Sequence, residues 1–96
     1  MAALDLMGRR WALRIVWELR GGPLGFRALQ AKCDGMSPTV LNTRIKELSA
    51  AQVIEQRSDR NWSLTQAGNA FLNAIAPLSD WADMWARQLE DHPPTE

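Results

Sequence analysis

The stretch Ser37-Pro38-Thr39-Val40-Leu41-Asn42-Thr43-Arg44-Ile45-Lys46-Glu47-Leu48 restricts the fold more than any other part of the chain. Ser37 suits an N-cap and Pro38 the first helical position. Leu41, Ile45 and Leu48 recur at i, i+4 and i+7, so one stripe of this helix must be buried. The opposite face carries Thr39, Asn42, Thr43 and Lys46, which are hydrogen-bonding groups and a cation without an acid. A short helical segment and a glycine-containing turn precede it. Such a helix, in such a position, has the chemistry to enter a DNA major groove.

At 96 residues the chain makes one domain, expected over residues 1–90 with a frayed polar tail over 91–96. Neither a membrane-length apolar run nor a secretion signal is visible, which predicts a cytosolic protein with no membrane partner. The single cysteine, Cys33, cannot form an internal disulfide. Its spacing from Phe26 and Leu29 places it on an inner helix face as a small hydrophobe.

The formal net charge is zero, but it is unevenly distributed. Residues 1–60 carry ten Lys and Arg against six acids, a net of +4, and residues 61–96 carry one base against five acids, a net of −4. The surface can therefore be strongly polarised although its sum vanishes. Charge alone does not establish a nucleic-acid partner.

Periodicity predicts a first helical region over 4–20, with Gly8 as a possible break and Ala12, Ile15, Val16 and Leu19 on one face. Gly21-Gly22-Pro23 ends it. A second helix is predicted from Gly25 or Phe26 to Cys33, and Asp34-Gly35-Met36 turns the chain into the helix after Ser37, so that 25–50 forms a helix-turn-helix. Val53 to Ser58 reads as a strand, Asp59-Arg60 as a tight turn, and Asn61 to Leu64 as the returning strand of a short wing. The fold class is mainly α with a small β-hairpin, a winged helix-turn-helix with terminal helices.

From the expected cap Thr65 to about Leu89 the chain reads as helix. Phe71, Ile75, Leu78, Ala82, Trp85 and Leu89 step by 4, 3, 4, 3 and 4, a coiled-coil-like spacing with Trp81 beside it. A second apolar seam on so small a domain points to a dimer interface, since a lone exposed stripe is a liability; the alternative is that the helix folds back on its own domain. Pro77 either kinks the helix or begins another.

The chain resembles the HxlR-type winged helix-turn-helix transcriptional regulators, which are related to the MarR group. The resemblance rests on Ala3-Leu4-Asp5-Leu6-Met7-Gly8-Arg9-Arg10-Trp11, the Gly21-Gly22-Pro23 turn, Phe26 and Leu29. It continues through Met36 to Leu41, Arg44, Glu47-Leu48, Ser63-Leu64-Thr65 with Gly68, and Trp81 and Trp85. It implies a homodimer, formed by terminal helices, that sets two recognition helices in successive major grooves of a pseudo-palindromic operator. Three departures stand out. The family's usual cysteine near the N terminus, used by some members for redox or electrophile sensing, is replaced by Ala2 and Ala3, so thiol sensing is not inherited. The wing is short. Thr39, Asn42 and Thr43 also stand where the family often has longer residues, so the operator sequence cannot be carried over.

On double-stranded DNA, Ser37, Pro38, Thr39, Asn42 and Thr43 are the expected base-contacting residues, with Asn42 suited to the N6 and N7 edge of adenine. Arg10, Lys46, Arg57 and Arg60 are the expected phosphate contacts. Arg44 sits beside the buried stripe and can instead pair with Glu47 or Asp34. Of the five tryptophans, Trp17 and Trp62 are candidates for a pocket that binds a small aromatic effector, or they are simply core. His92 is the only histidine, so neither a nucleophile–base pair nor a His/Cys metal site can be assembled; no enzyme, metal or cofactor is expected. The rival function is an adaptor, a winged helix used for protein interaction with little DNA binding.

Overall fold

The computed structural model describes residues 2–92. Its order is α1 (Ala2–Met7), α2 (Ala12–Glu18) running into a 3-10 turn (Leu19–Gly21), α3 (Phe26–Lys32), α4 (Pro38–Ala50), β1 (Ile54–Gln56), β2 (Trp62–Leu64) and α5 (Gln66–Asp91). The expected helix-turn-helix is α3 and α4, and the wing is β1 and β2. Pro93 to Glu96 of the expected tail lie outside the described residues, and Asp91 is the last residue of α5 rather than the start of a tail.

The core forms where four elements converge. Ala12, Ile15, Val16 and Leu19 from α2 and its 3-10 extension meet Leu29 and Cys33 from α3, Leu41, Ile45 and Leu48 from α4, and Ile54 from β1. Both predicted stripes are thus fully inside. Between α3 and α4 the chain takes left-handed φ at two successive residues, Asp34 (59°) and Gly35 (67°), which a glycine at the second position makes inexpensive. The turn is held by Gly35 N–H donating to Gln30 O at 2.9 Å and by Gln30 Nε2 donating to Met36 O at 2.8 Å.

The first helical region divides. α1 ends at Met7, and the chain crosses an elbow in which Trp11 takes a left-handed φ of 77° before α2 begins. A non-glycine residue there costs about 1–3 kcal/mol, and the half-buried Trp11 ring packed on the core offsets it. No apolar periodicity encodes such an elbow.

The strands are shorter than predicted. Arg57 N–H donates to Asn61 O at 2.8 Å and closes the hairpin, so 57–61 is loop. The antiparallel register is Ile54↔Leu64, Glu55↔Ser63 and Gln56↔Trp62. Trp62 also pairs with Leu24, whose N–H donates to Trp62 O at 3.0 Å while Trp62 N–H donates to Leu24 O at 2.7 Å. The segment before α3 therefore adds a third edge to the wing.

Thr65 joins the wing to α5. Its Oγ1 accepts from Gly68 N–H at 3.1 Å, capping α5, and donates to the carbonyl of Gln52, in the turn before β1, at 2.6 Å. α5 then continues through Pro77 without interruption. Phe71, Leu72 and Ile75 are half-buried, but from Ala76 onward every described residue is exposed. A 26-residue helix is about 39 Å long. Its free half explains extents of 51 × 27 × 25 Å and a radius of gyration of 15.4 Å, against about 12.5 Å for a compact chain of this length. Among the described residues no helix is long and apolar enough to cross a membrane.

Candidate nucleic-acid interface

The two faces of α4 separate cleanly. Leu41 and Leu48 are wholly buried and Ile45 nearly so, which fixes how the helix is rolled about its axis. That roll leaves Ser37, Pro38, Thr39, Asn42, Thr43 and Lys46 exposed together. Ser37 caps the helix, its Oγ accepting from Val40 N–H at 3.5 Å. The Asn42 amide makes no hydrogen bond among the described residues, so its donor and acceptor are both available to a ligand. Thr43 is more restricted than the sequence suggests. Its hydroxyl donates to Thr39 O at 2.9 Å, leaving an acceptor and a methyl group to present outward.

Four cations were expected to flank this face. Arg10, Lys46 and Arg60 have no acidic partner within 4 Å among the described residues, and Arg10 lies over the Trp11 ring at 5.8 Å. Arg57 is 4.0 Å from Asp59 and so is partly neutralised within the wing. Arg60 is at the wing turn with φ of 69°, its carbonyl held by Gln56 Nε2 at 3.2 Å. Arg44 turns away from the outer face. It pairs with Glu47 at 2.6 Å, while Asp34 pairs with Arg14 at 3.3 Å. Sequence reasoning missed Arg9, which reaches the other oxygen of Glu47 at 3.0 Å. Only folding brings these two together, and no local spacing announces it.

The expected seam on α5 is divided. Phe71 packs against its own core and belongs to the protomer, and Ile75 is half-buried. Leu78, Trp81, Trp85 and Leu89 stand exposed on the free half of the helix, with Trp81 and Trp85 each about half accessible at 50% and 49%. Ala82 is exposed with them. The two indoles stack with centroids 5.5 Å apart and planes 14° from parallel.

Trp17 and Trp62 sit in different parts of the fold. Trp62 is held in the wing sheet and against the core. Trp17 instead lines an apolar cleft of about 520 Å³ between α2 and α5, with Leu13, Leu72, Ile75 and Leu78. Arg20 stacks on its outer face at 3.8 Å from the ring centroid and donates to Trp17 O at 3.0 Å.

Cys33 has no exposed surface, and burial pushes its thiol above the ordinary value. Native protein should therefore react with iodoacetamide at pH 7.5 at least about a hundredfold more slowly than denatured protein. Equal rates would show that the thiol is accessible. Because the folded state holds this proton more tightly, the contribution from Cys33 is intact below the ordinary thiol range and is lost as pH rises from that range through the raised folded value.

Comparison with known proteins agrees with this geometry. The HxlR-like helix-turn-helix family model matches residues 6–90. The HTH-type transcriptional regulator YvaP of Bacillus subtilis is 32% identical over 89 residues, spanning 86% of this chain and 82% of that protein. Among solved structures, quinone-bound YodB from B. subtilis superposes with a TM-score of 0.80 at 29% identity, covering 86% of this chain and 92% of that one. A possible HxlR family transcriptional factor from Thermoplasma volcanium gives 0.76 at 28% identity, covering 88% and 81%. These relatives are transcriptional regulators, not enzymes. With a helix-turn-helix, a short wing and a family match over nearly its whole described length, the chain belongs to the HxlR family of transcriptional regulators.

Proposed function

We propose that the protein is a cytoplasmic homodimer that binds double-stranded DNA at a pseudo-palindromic operator. The observation that carries this reading is the exposed, acid-free face of Thr39, Asn42, Thr43 and Lys46, set opposite a wholly buried stripe on the second helix of a helix-turn-helix. Asn42 reads a base edge, with Ser37, Pro38, Thr39 and Thr43 around it. Arg10, Lys46, Arg57 and Arg60 take phosphates and fix the register. The subunits join through Ile75, Leu78, Trp81, Ala82, Trp85 and Leu89, and residues 1–90 act as one domain. The apolar Trp17 cleft takes a small flat aromatic effector, and the crystal structure of quinone-bound YodB supports that ligand class.

Selection of bound duplexes from a random library with the purified protein tests the proposal. A palindrome with half-site centres one or two helical turns apart is expected. Failure to retain any duplex even at low salt would sink it in favour of the adaptor. With about four phosphates neutralised per protomer, affinity should fall with salt at a log–log slope near roughly −7. On the selected site, Asn42→Ala should cost about 1–3 kcal/mol and relax one position per half-site. Lys46→Ala should weaken all duplexes alike and flatten the salt slope by about one per protomer. If neither variant changes binding, another surface meets the DNA.

A further inference from the structure

We propose that Arg44 and Glu47 are positioning residues: they lock the elbow between α1 and α2 onto the flank of α4, so that Arg10 and the base-reading face move as one surface. The inference rests on the DNA-binding reading above.

Residues Gly8 to Trp11 leave the helical path, so the elbow must find other hydrogen bonds. Arg9 O accepts from Ala12 N–H at 3.1 Å and Trp11 O from Ile15 N–H at 3.0 Å. Arg10 O is held from a different element, by Arg44 Nε at 2.8 Å. The same guanidinium donates through Nη1 to Glu47 Oε1 at 2.6 Å. Glu47 Oε2 is buried without an aligned hydrogen bond and has Arg9 Nε at 3.0 Å as its ion-pair partner. Glu47 therefore faces two arginines, one on its own helix and one on the elbow. Arg44 and Glu47 side chains are only 19% and 26% exposed, in contrast to the open face beside them.

Apolar packing does not fill the space these groups span. Arg10, Trp11, Met36, Ser37, Val40 and Arg44 border an open cleft of about 370 Å³ at the start of α4. Trp11 anchors one end of the elbow on the core, and beside this cleft the polar bridge is what ties the Arg10 backbone to α4. Arg10 is the elbow residue without an acidic partner, and its backbone is the part that Arg44 grips. A phosphate contact fixes register only if its donor stands at a constant distance from the base-reading side chains. Without the bridge Arg10 still attracts phosphate, but no longer in step with Asn42. Discrimination falls while general affinity persists.

This differs in sign from a simple charge effect. Glu47→Gln removes an acid beside a basic face, which by electrostatics alone tightens binding to every duplex. Arg44→Lys keeps the charge, but an ammonium cannot reproduce the guanidinium's fixed fork toward both the carbonyl and the carboxylate. The test compares the duplex selected with wild-type protein against a scrambled duplex of equal length at one salt concentration. In both variants the ratio of the two affinities should fall by about tenfold, the size of one mismatched base pair. Affinity of Arg44→Lys for the scrambled duplex should stay within about threefold of wild type. Arg9→Ala alters an exposed side chain and tests the same bridge from the elbow side; a smaller fall in the ratio is expected.

An unchanged ratio in all three variants overturns the inference and leaves the DNA reading intact. Equal weakening on both duplexes in Arg44→Lys also overturns it, because Arg44 then contacts phosphate itself. Wild-type protein that retains no duplex at all overturns the DNA reading, and this inference with it.

Discussion

Replacing Trp85 with glutamate is expected to leave a folded protomer that sediments as a monomer at concentrations where the proposed wild-type dimer forms. Trp85 is half exposed, stacked on Trp81 and remote from the buried core, so the protomer loses little when it is changed. In a two-fold dimer each substitution occurs twice. A centrally placed interface tryptophan contributes about 2–4 kcal/mol, and a buried carboxylate without a partner adds its own cost, so self-association should weaken by about a thousandfold or more. Operator affinity should collapse in parallel, since one half-site contact alone holds weakly. Sedimentation velocity together with a thermal melt checks this: an unchanged dimer places the interface elsewhere, and an unfolded protein places Trp85 in the protomer's own structure.

Gly68→Ala should be the most damaging of the glycine-to-alanine changes. A Cβ at residue 68 would stand 2.3 Å from Val53 O and 3.1–3.2 Å from Leu64 side-chain atoms. The first obstacle is backbone, so no rotamer change relieves it. Moving α5 away would also strain the Thr65 cap, which ties the helix to the carbonyls of Gln52 and Val53. The expected loss is about 2–3 kcal/mol, and the melting temperature should fall by about 10–20 °C. Calorimetry decides it: a melt within a degree or two of wild type would mean that α5 does not seat so closely against the wing.

Much of this architecture is local information. Leu41, Ile45 and Leu48 announce the inner side of α4 by spacing, and Ser37 and Thr65 announce where two helices begin by their hydroxyls. Ala12, Ile15, Val16 and Leu19 do the same for α2. Residues whose roles depend on long-range placement are harder to read. Trp62 looks like a pocket aromatic until Leu24 pairs with it across the wing. Phe71 fits the same heptad as Trp85, because a period of three and four cannot distinguish a side chain's own core from another subunit. Glu47 reads as half of an i, i+3 pair with Arg44, and only the left-handed turn at Trp11 brings Arg9 to its second oxygen.

The division of α5 into a seated half and a projecting half has an energetic corollary. The turns beside the wing and α2 share in the cooperative unit of the whole domain, whereas the projecting turns are a helix in water that contains Pro77. A helical segment of that length is marginal by itself. Its backbone hydrogen bonds are consequently only as lasting as whatever lies against its tryptophans, so one continuous helix comprises two regions of unequal permanence.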